Sequence, residues 1–137
     1  MEKKMNNKGF SLVELIIVIA IMAVLIGILA PQFLKYVEKS RKSTDVTNAQ
    51  EIASAASAAF ADGEYANETS NIEKEVKVVG DIPGGALTSV PKMKSKASGE
   101  AGHFYYLTVD VTTGEVKVYT NSSKTTELYP DCAASME

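Results

Sequence analysis

The chain has 137 residues, 45% of them hydrophobic, with a net charge of −3 and an isoelectric point near 5.3. That length holds one small domain at most, and the acidic balance supplies no basic field for a nucleic-acid backbone, so no nucleic-acid partner is expected. Cys132 is the single cysteine, which excludes an intrachain disulfide, and with His103 as the single histidine there is no donor set for a conventional zinc site. Neither a phosphate-binding loop nor a glycine-rich dinucleotide fingerprint occurs, and the expectation is of a chain without metal, cofactor or enzymatic activity.

The amino terminus carries Lys3, Lys4 and Lys8, reaches Gly9, and then runs from residue 10 to residue 34 with one charge, Glu14. At ~1.5 Å per residue this stretch spans roughly 37 Å as a helix, against a hydrocarbon core of about 30 Å. It is long enough to cross a membrane. A secretory signal peptide fits poorly: the apolar region is too long and contains a carboxylate, Ile28 stands where a small residue is wanted before a cut at Ala30, and Pro31 follows. A stop-transfer anchor is the other reading, and lysines on both flanks leave its orientation undecided.

Glu14 separates these readings. A carboxylate in the bilayer costs about 2.5 to 3.5 kcal/mol near a helix centre and less near its end, so it needs a partner or the interface. A cut between Gly9 and Phe10 creates an α-amino group four residues before Glu14, mostly protonated at neutral pH and able to pair with it within one chain or between neighbours. The alternative is a carboxylate that reaches the headgroups from the first helical turn, where the helix dipole also favours it.

The residues KGFSLVE, from Lys8 to Glu14, followed by an unbroken apolar run with Pro31 toward its end, resemble the class III signal of type IV pilins and related pseudopilins. The resemblance implies cleavage after Gly9 by a prepilin peptidase, N-methylation of Phe10, residence in the cytoplasmic membrane with the head outside, and then polymerisation through the amino-terminal helices into a surface filament. It also implies that Glu14 pairs with the Phe10 amine of an adjacent subunit and sets the register, and that an assembly platform and its ATPase act indirectly. On this reading residues 1–9 are a leader, 10–34 a membrane-spanning and filament-core helix, 35–63 an amphipathic continuation, and 64–137 the loops and sheet of a head.

Pro31 lacks an amide proton and Gly27 is a weak helix former, so together they mark an expected bend. In similar pilins this section loses helical bonding on assembly; a plain kink is the other possibility. Helical spacing continues through Phe33, Val37, Val46, Ala49, Ile52, Ala53, Ala56, Ala59 and Phe60, interrupted only by the polar stretch 40–45. The alanine-rich segment 49–60 permits close approach by a sheet, and Asp62 with Gly63 supplies the stop.

Beyond the helix, residues 66–71 are turn-forming, residues 75–79 alternate enough for a short strand, and the Gly-, Pro- and Ser-rich stretch 80–102 reads as loop. FYYLTVDV, residues 104–111, puts Tyr105, Leu107, Val109 and Val111 on one face, and EVKVYT, residues 115–120, does the same with Val116 and Val118. The two form an antiparallel hairpin whose apolar side faces residues 49–60. The expected fold class is α+β: a long amino-terminal helix packed in its second half on a small antiparallel sheet, as in type IV pilins.

The unpaired Cys132 departs from the disulfide-closed pilins and suits a disulfide-free kind, common in Gram-positive anaerobes; the missing calcium loop shifts weight from secretion pseudopilin to pilus subunit. Lys92, Lys94 and Lys96 read as a solvated edge that discourages strand pairing. Removal of the leader takes away three Lys and one Glu, leaving 11 basic and 16 acidic side chains, a net of −5. The expected function is therefore that of a pilus subunit serving adhesion, twitching motility or biofilm formation. The alternatives are a pseudopilin of a type II secretion or DNA-uptake machine, and a membrane-tethered binding domain that never polymerises.

Overall fold

The computed structural model describes residues 9–85, 87–96, 102–133 and 136. Its backbone divides into two compact units between Tyr36 and Val37. One helix, α1 (Leu12–Ala61), belongs to both and runs unbroken through Gly27 and Pro31. Because Pro31 carries no N–H, the Gly27 carbonyl four residues back has no helical donor.

In the first unit the large apolar side chains of α1 are exposed. The most apolar 18-residue window of this helix reaches a mean hydropathy of 3.1 with none of it buried. Leu15, Ile19, Met22, Ile26 and Leu29 are all more than half exposed. A surface this apolar on every side is what a helix surrounded by lipid or by other apolar helices presents.

In the second unit α1 is amphipathic. Ala49, Ile52, Ala53, Ala55, Ala56 and Ala59 are buried, with Val46 and Phe60 packed beside them. The helix ends where Asp62 and Gly63 predict. Gly63 takes φ = 80°, its N–H donates to the Phe60 carbonyl and that of Glu64 to the Ala59 carbonyl, the paired bonds of a Schellman cap.

Four strands follow in an antiparallel meander of order β1 (Ile72–Glu75), β2 (Tyr106–Val109), β3 (Val116–Tyr119) and β4 (Glu127–Tyr129). Leu107 faces Val118 and Val109 faces Val116 across the expected hairpin, and all four are buried. Tyr105 and Leu128 complete the apolar side, which shares one core with the alanines of α1. The small alanine side chains let the sheet come close, so the contact is made by the large residues of the strands, each contributing about 1.5 to 3 kcal/mol on burial.

Two expectations need correction. The strand expected over 75–79 lies earlier, at Ile72–Glu75, and Val79–Asp81 is a short 3-10 turn. The Asp81 carboxylate accepts from the amides of Lys77 and Val78 at 2.7 and 2.8 Å, which turns the chain away from the sheet. Lys92, Lys94 and Lys96 do point outward, but they do not guard a sheet edge, since the edges are β1 and β4. Met93 and Ser95 between them are buried, and the segment is tied by its backbone to α1.

That tie is made by Asp45, which is fully buried. One carboxylate oxygen accepts from the Lys94 amide at 2.7 Å and from the Tyr105 hydroxyl at 3.2 Å; the other accepts from the Ser95 amide at 2.7 Å. Glu38, two turns earlier, accepts from the Ser95 hydroxyl at 2.7 Å and the Lys96 amide at 2.6 Å. Burial pushes the Tyr105 phenol above its usual range, so it stays a neutral donor.

The β2–β3 turn depends on Gly114, at φ = 76°. A Cβ there stands 2.7 Å from Cε1 of Phe60. Gly114→Ala is expected to destabilise the second unit by about 2 to 4 kcal/mol, from the left-handed backbone and the displaced ring together. A tyrosine circular-dichroism melt measures it.

Two carboxylates give the unit an acid limit. Desolvation works to raise the Asp81 carboxyl, but the amides of Val78 and Lys77 and the charges of Lys74 and Lys77 outweigh it and hold it below the ordinary 3.8. Asp110 is lowered by the Thr112 hydroxyl and by the amides of Thr112 and Thr113. A carboxyl with a depressed folded pKa contributes stability above its unfolded value and loses it as pH falls through the folded one. Melting temperature is therefore expected to hold from neutrality down to about pH 5 and to drop below about pH 4. The drop is shallower in the double variant Asp81→Asn, Asp110→Asn.

Candidate functional site

The residues singled out at the amino terminus come together at the start of α1. Gly9, Phe10, Ser11 and Glu14 line one open hollow, with Gly9 exposed and Phe10 almost wholly so. The N–H that follows, that of Ser11, is already engaged by Glu14.

Ser11 is the cap residue of α1 and Glu14 its third helical residue. The Ser11 hydroxyl accepts from the Val13 amide at 3.3 Å and the Glu14 carboxylate accepts from the Ser11 amide at 2.8 Å. The Glu14 bond is one half of a capping box, and the Ser11 hydroxyl caps the amide of the second helical residue in place of the third, so two amides that a helix start otherwise leaves open are satisfied. Glu14 thus has a partner within its own chain, and its charge lies at the positive end of the helix dipole. Ser11 escaped the sequence reading, although S-x-x-E before an apolar run is the signature of this cap.

From Leu12 to Tyr36 the large apolar side chains around Glu14 are exposed in every direction of the helix. One carboxylate at the head of such a surface is a distinctive arrangement: the apolar side chains attract any apolar partner, while the charge restricts which axial position is tolerated.

Residues 4–30 match the family model described as the prokaryotic N-terminal methylation motif. The amino-terminal part of the chain resembles that of type IV pilins. It is similar to the type IV major pilin protein PilA of Myxococcus xanthus (strain DK1622), with 36% identity over 67 residues, 46% of this chain and 30% of that protein. It is similar also to the type IV major fimbrial protein FimA of Dichelobacter nodosus, with 35% identity over 65 residues, 47% of this chain and 41% of the relative. The chain spans less than half the length of the curated relatives it matches. No solved structure gives a significant match.

The methylation motif covers Gly9, Phe10, Glu14 and Gly27 and stops one residue short of Pro31. Residues 1–8, including Lys3, Lys4 and Lys8, lie outside the described residues. Away from this stretch, His103 is exposed and Cys132 half-buried with its thiol 3.7 Å from the Ala133 carbonyl. No group of three or more His, Cys, Asp or Glu side chains is placed to hold a metal ion among the described residues.

Proposed function

We propose that the chain is the precursor of a type IV pilus subunit. The observation that carries this reading is the stem of α1: a helix long and apolar enough to cross a membrane, exposed on all sides, begun by the Gly9-Phe10 junction and carrying a single acid at Glu14 within the methylation motif. A prepilin peptidase cuts after Gly9, the new Phe10 amine is methylated, and the stem waits in the cytoplasmic membrane with its head outside until it joins the filament.

Assembly exchanges lipid for neighbouring stems around the same apolar surface. The apolar contacts then differ little between bilayer and filament, and packing together with the charge decides the register. Glu14 keeps its capping bond to Ser11 through one oxygen and offers the other to the Phe10 amine of an adjacent subunit. The loosened turn at Gly27 and Pro31 lets the stem bend as it enters the fibre, and the role of the subunit is mechanical rather than enzymatic. The filament serves surface contact in adhesion, twitching motility or biofilm formation, raised by an assembly platform and its ATPase.

The test is intact mass and N-terminal fragmentation of the chain in material sheared from the cell surface. The expected species begins at a methylated Phe10. A chain that begins at Met1 and stays in the membrane fraction overturns the reading in favour of a tethered domain.

A further inference from the structure

The sheet has a second face, turned away from the core. Across it, at one end, stand Glu75 of β1, Tyr106 of β2 and Tyr119 of β3, adjacent in register, with Phe104 two residues before Tyr106 on the same side. After β3 the chain makes a polar turn, in which the Asn121 amide donates to the Thr125 hydroxyl at 3.0 Å and the Lys124 N–H to the Asn121 carbonyl. Between turn and sheet lies a cavity of about 300 Å³ walled by Glu75, His103, Phe104, Tyr106, Thr120 and Asn121, with Ser122 and Ser123 at its lip.

Its chemistry narrows the occupant. Among the described residues no lysine or arginine lines it and Glu75 does, which disfavours an anion. Lys77 pairs with Glu75 at 2.8 Å, which offsets the charge of the one acid in the wall, and Lys92 sits over the Phe104 ring at 4.9 Å. The polar groups are hydroxyls, an amide, an imidazole and one carboxylate, a set that both donates and accepts. Two half-buried aromatic rings provide flat apolar surface beside them. A ligand matching all of this is small, uncharged, rich in hydroxyls and has an apolar ring face.

We propose that this cavity on the outward face of the sheet is a subsite for a neutral pyranose sugar, its ring laid against Tyr106 and Phe104 and its hydroxyls shared between Glu75 and Asn121. Volume and composition suit one sugar ring at the small end of ligand sites. A single ring in an open, half-exposed site binds weakly, with a Kd of order 1 mM, and a fibre that repeats the site multiplies it by avidity. The site does not depend on the filament reading, since every residue in it comes from one chain.

Saturation-transfer NMR on the full chain in a sugar-free zwitterionic detergent tests the proposal with three probes: methyl β-glucopyranoside, methyl β-galactopyranoside and methyl N-acetyl-β-glucosaminide. Transfer to the ring protons of at least one is expected. Phe104→Ala and Tyr106→Ala are expected to abolish it, and Glu75→Gln, which keeps the shape of the wall, to weaken it about tenfold without lowering the melting temperature. Absence of transfer from all three probes overturns the proposal. So does equal transfer to the Glu75→Gln and Phe104→Ala variants, or displacement of the sugar by equimolar inorganic phosphate, which assigns the cavity to anions.

Discussion

Glu14→Ala is expected to leave cleavage after Gly9 intact and to lower the amount of chain in sheared surface fibres on the order of a hundredfold, because a buried Phe10 amine then lacks its counter-charge. Alanine, however, removes two things at once: the negative charge and the acceptor of the Ser11 amide. Glu14→Gln separates them. Glutamine is an accepted third residue of a capping box and keeps the bond to Ser11 while losing the charge.

If the charge sets the register, both variants lose fibres to a similar degree. Should Glu14→Gln assemble like the parent while Glu14→Ala does not, the acid is needed to begin the helix and the register explanation is wrong. Ser11→Ala completes the set. It removes the hydroxyl cap at a cost of about 1 kcal/mol, leaves the carboxylate in place, and is expected to assemble at near-normal levels. Immunoblots of sheared and cell-bound fractions read all three.

Asp45→Ala is expected to destabilise the second unit by about 3 to 5 kcal/mol, since it leaves the buried Ser95 amide, the Lys94 amide and the Tyr105 hydroxyl without their acceptor. Asp45→Asn is expected to be nearly as harmful. The two carboxylate oxygens face amides of successive residues at 2.7 Å, and an asparagine can turn only one oxygen toward them; its NH₂ group then faces a second donor. Chemical denaturation followed by tyrosine fluorescence gives the loss directly. An asparagine variant as stable as the parent means that the segment carrying Lys94 and Ser95 is held by other contacts. Glu38→Gln is the milder companion, as its Ser95 and Lys96 bonds lie nearer the surface and one oxygen accepts both.

Much of the second unit was legible because its signals are local. The alanine stripe of α1, the Gly63 stop and the Leu107–Val118 and Val109–Val116 pairing each follow from spacing within one segment or between neighbours in the chain. β4 was not legible: three residues, Glu127–Tyr129, between Thr126 and Pro130, show no alternation to count, and only the unpaired side of β3 makes a strand of them. The strand over 75–79 was misplaced because Val76, Val78 and Val79 have strand propensity, which the Asp81 turn overrides.

Asp45 shows the same limit in a charged residue. It stands four residues before Ala49, on the same stripe as Ile52, Ala56 and Ala59, yet its polarity places it with the solvated residues that interrupt the stripe. The groups that make its burial favourable are 49, 50 and 60 residues away. No window along the chain contains them.

The sequence by itself determined the stem: its length, its apolarity, the single acid and the family to which this part of the chain is similar. These are properties of consecutive residues, and a helix whose large apolar side chains stay exposed leaves little further for folding to decide. Tertiary structure decided the rest of the chemistry: that Asp45 is a buried anchor and not a surface charge, that Lys92, Lys94 and Lys96 ride on a segment pinned to α1, and that Glu75, Tyr106 and Thr120 share one cavity. Each of these depends on donors, acceptors and ring faces far apart in sequence, which meet only once the sheet has closed on the helix.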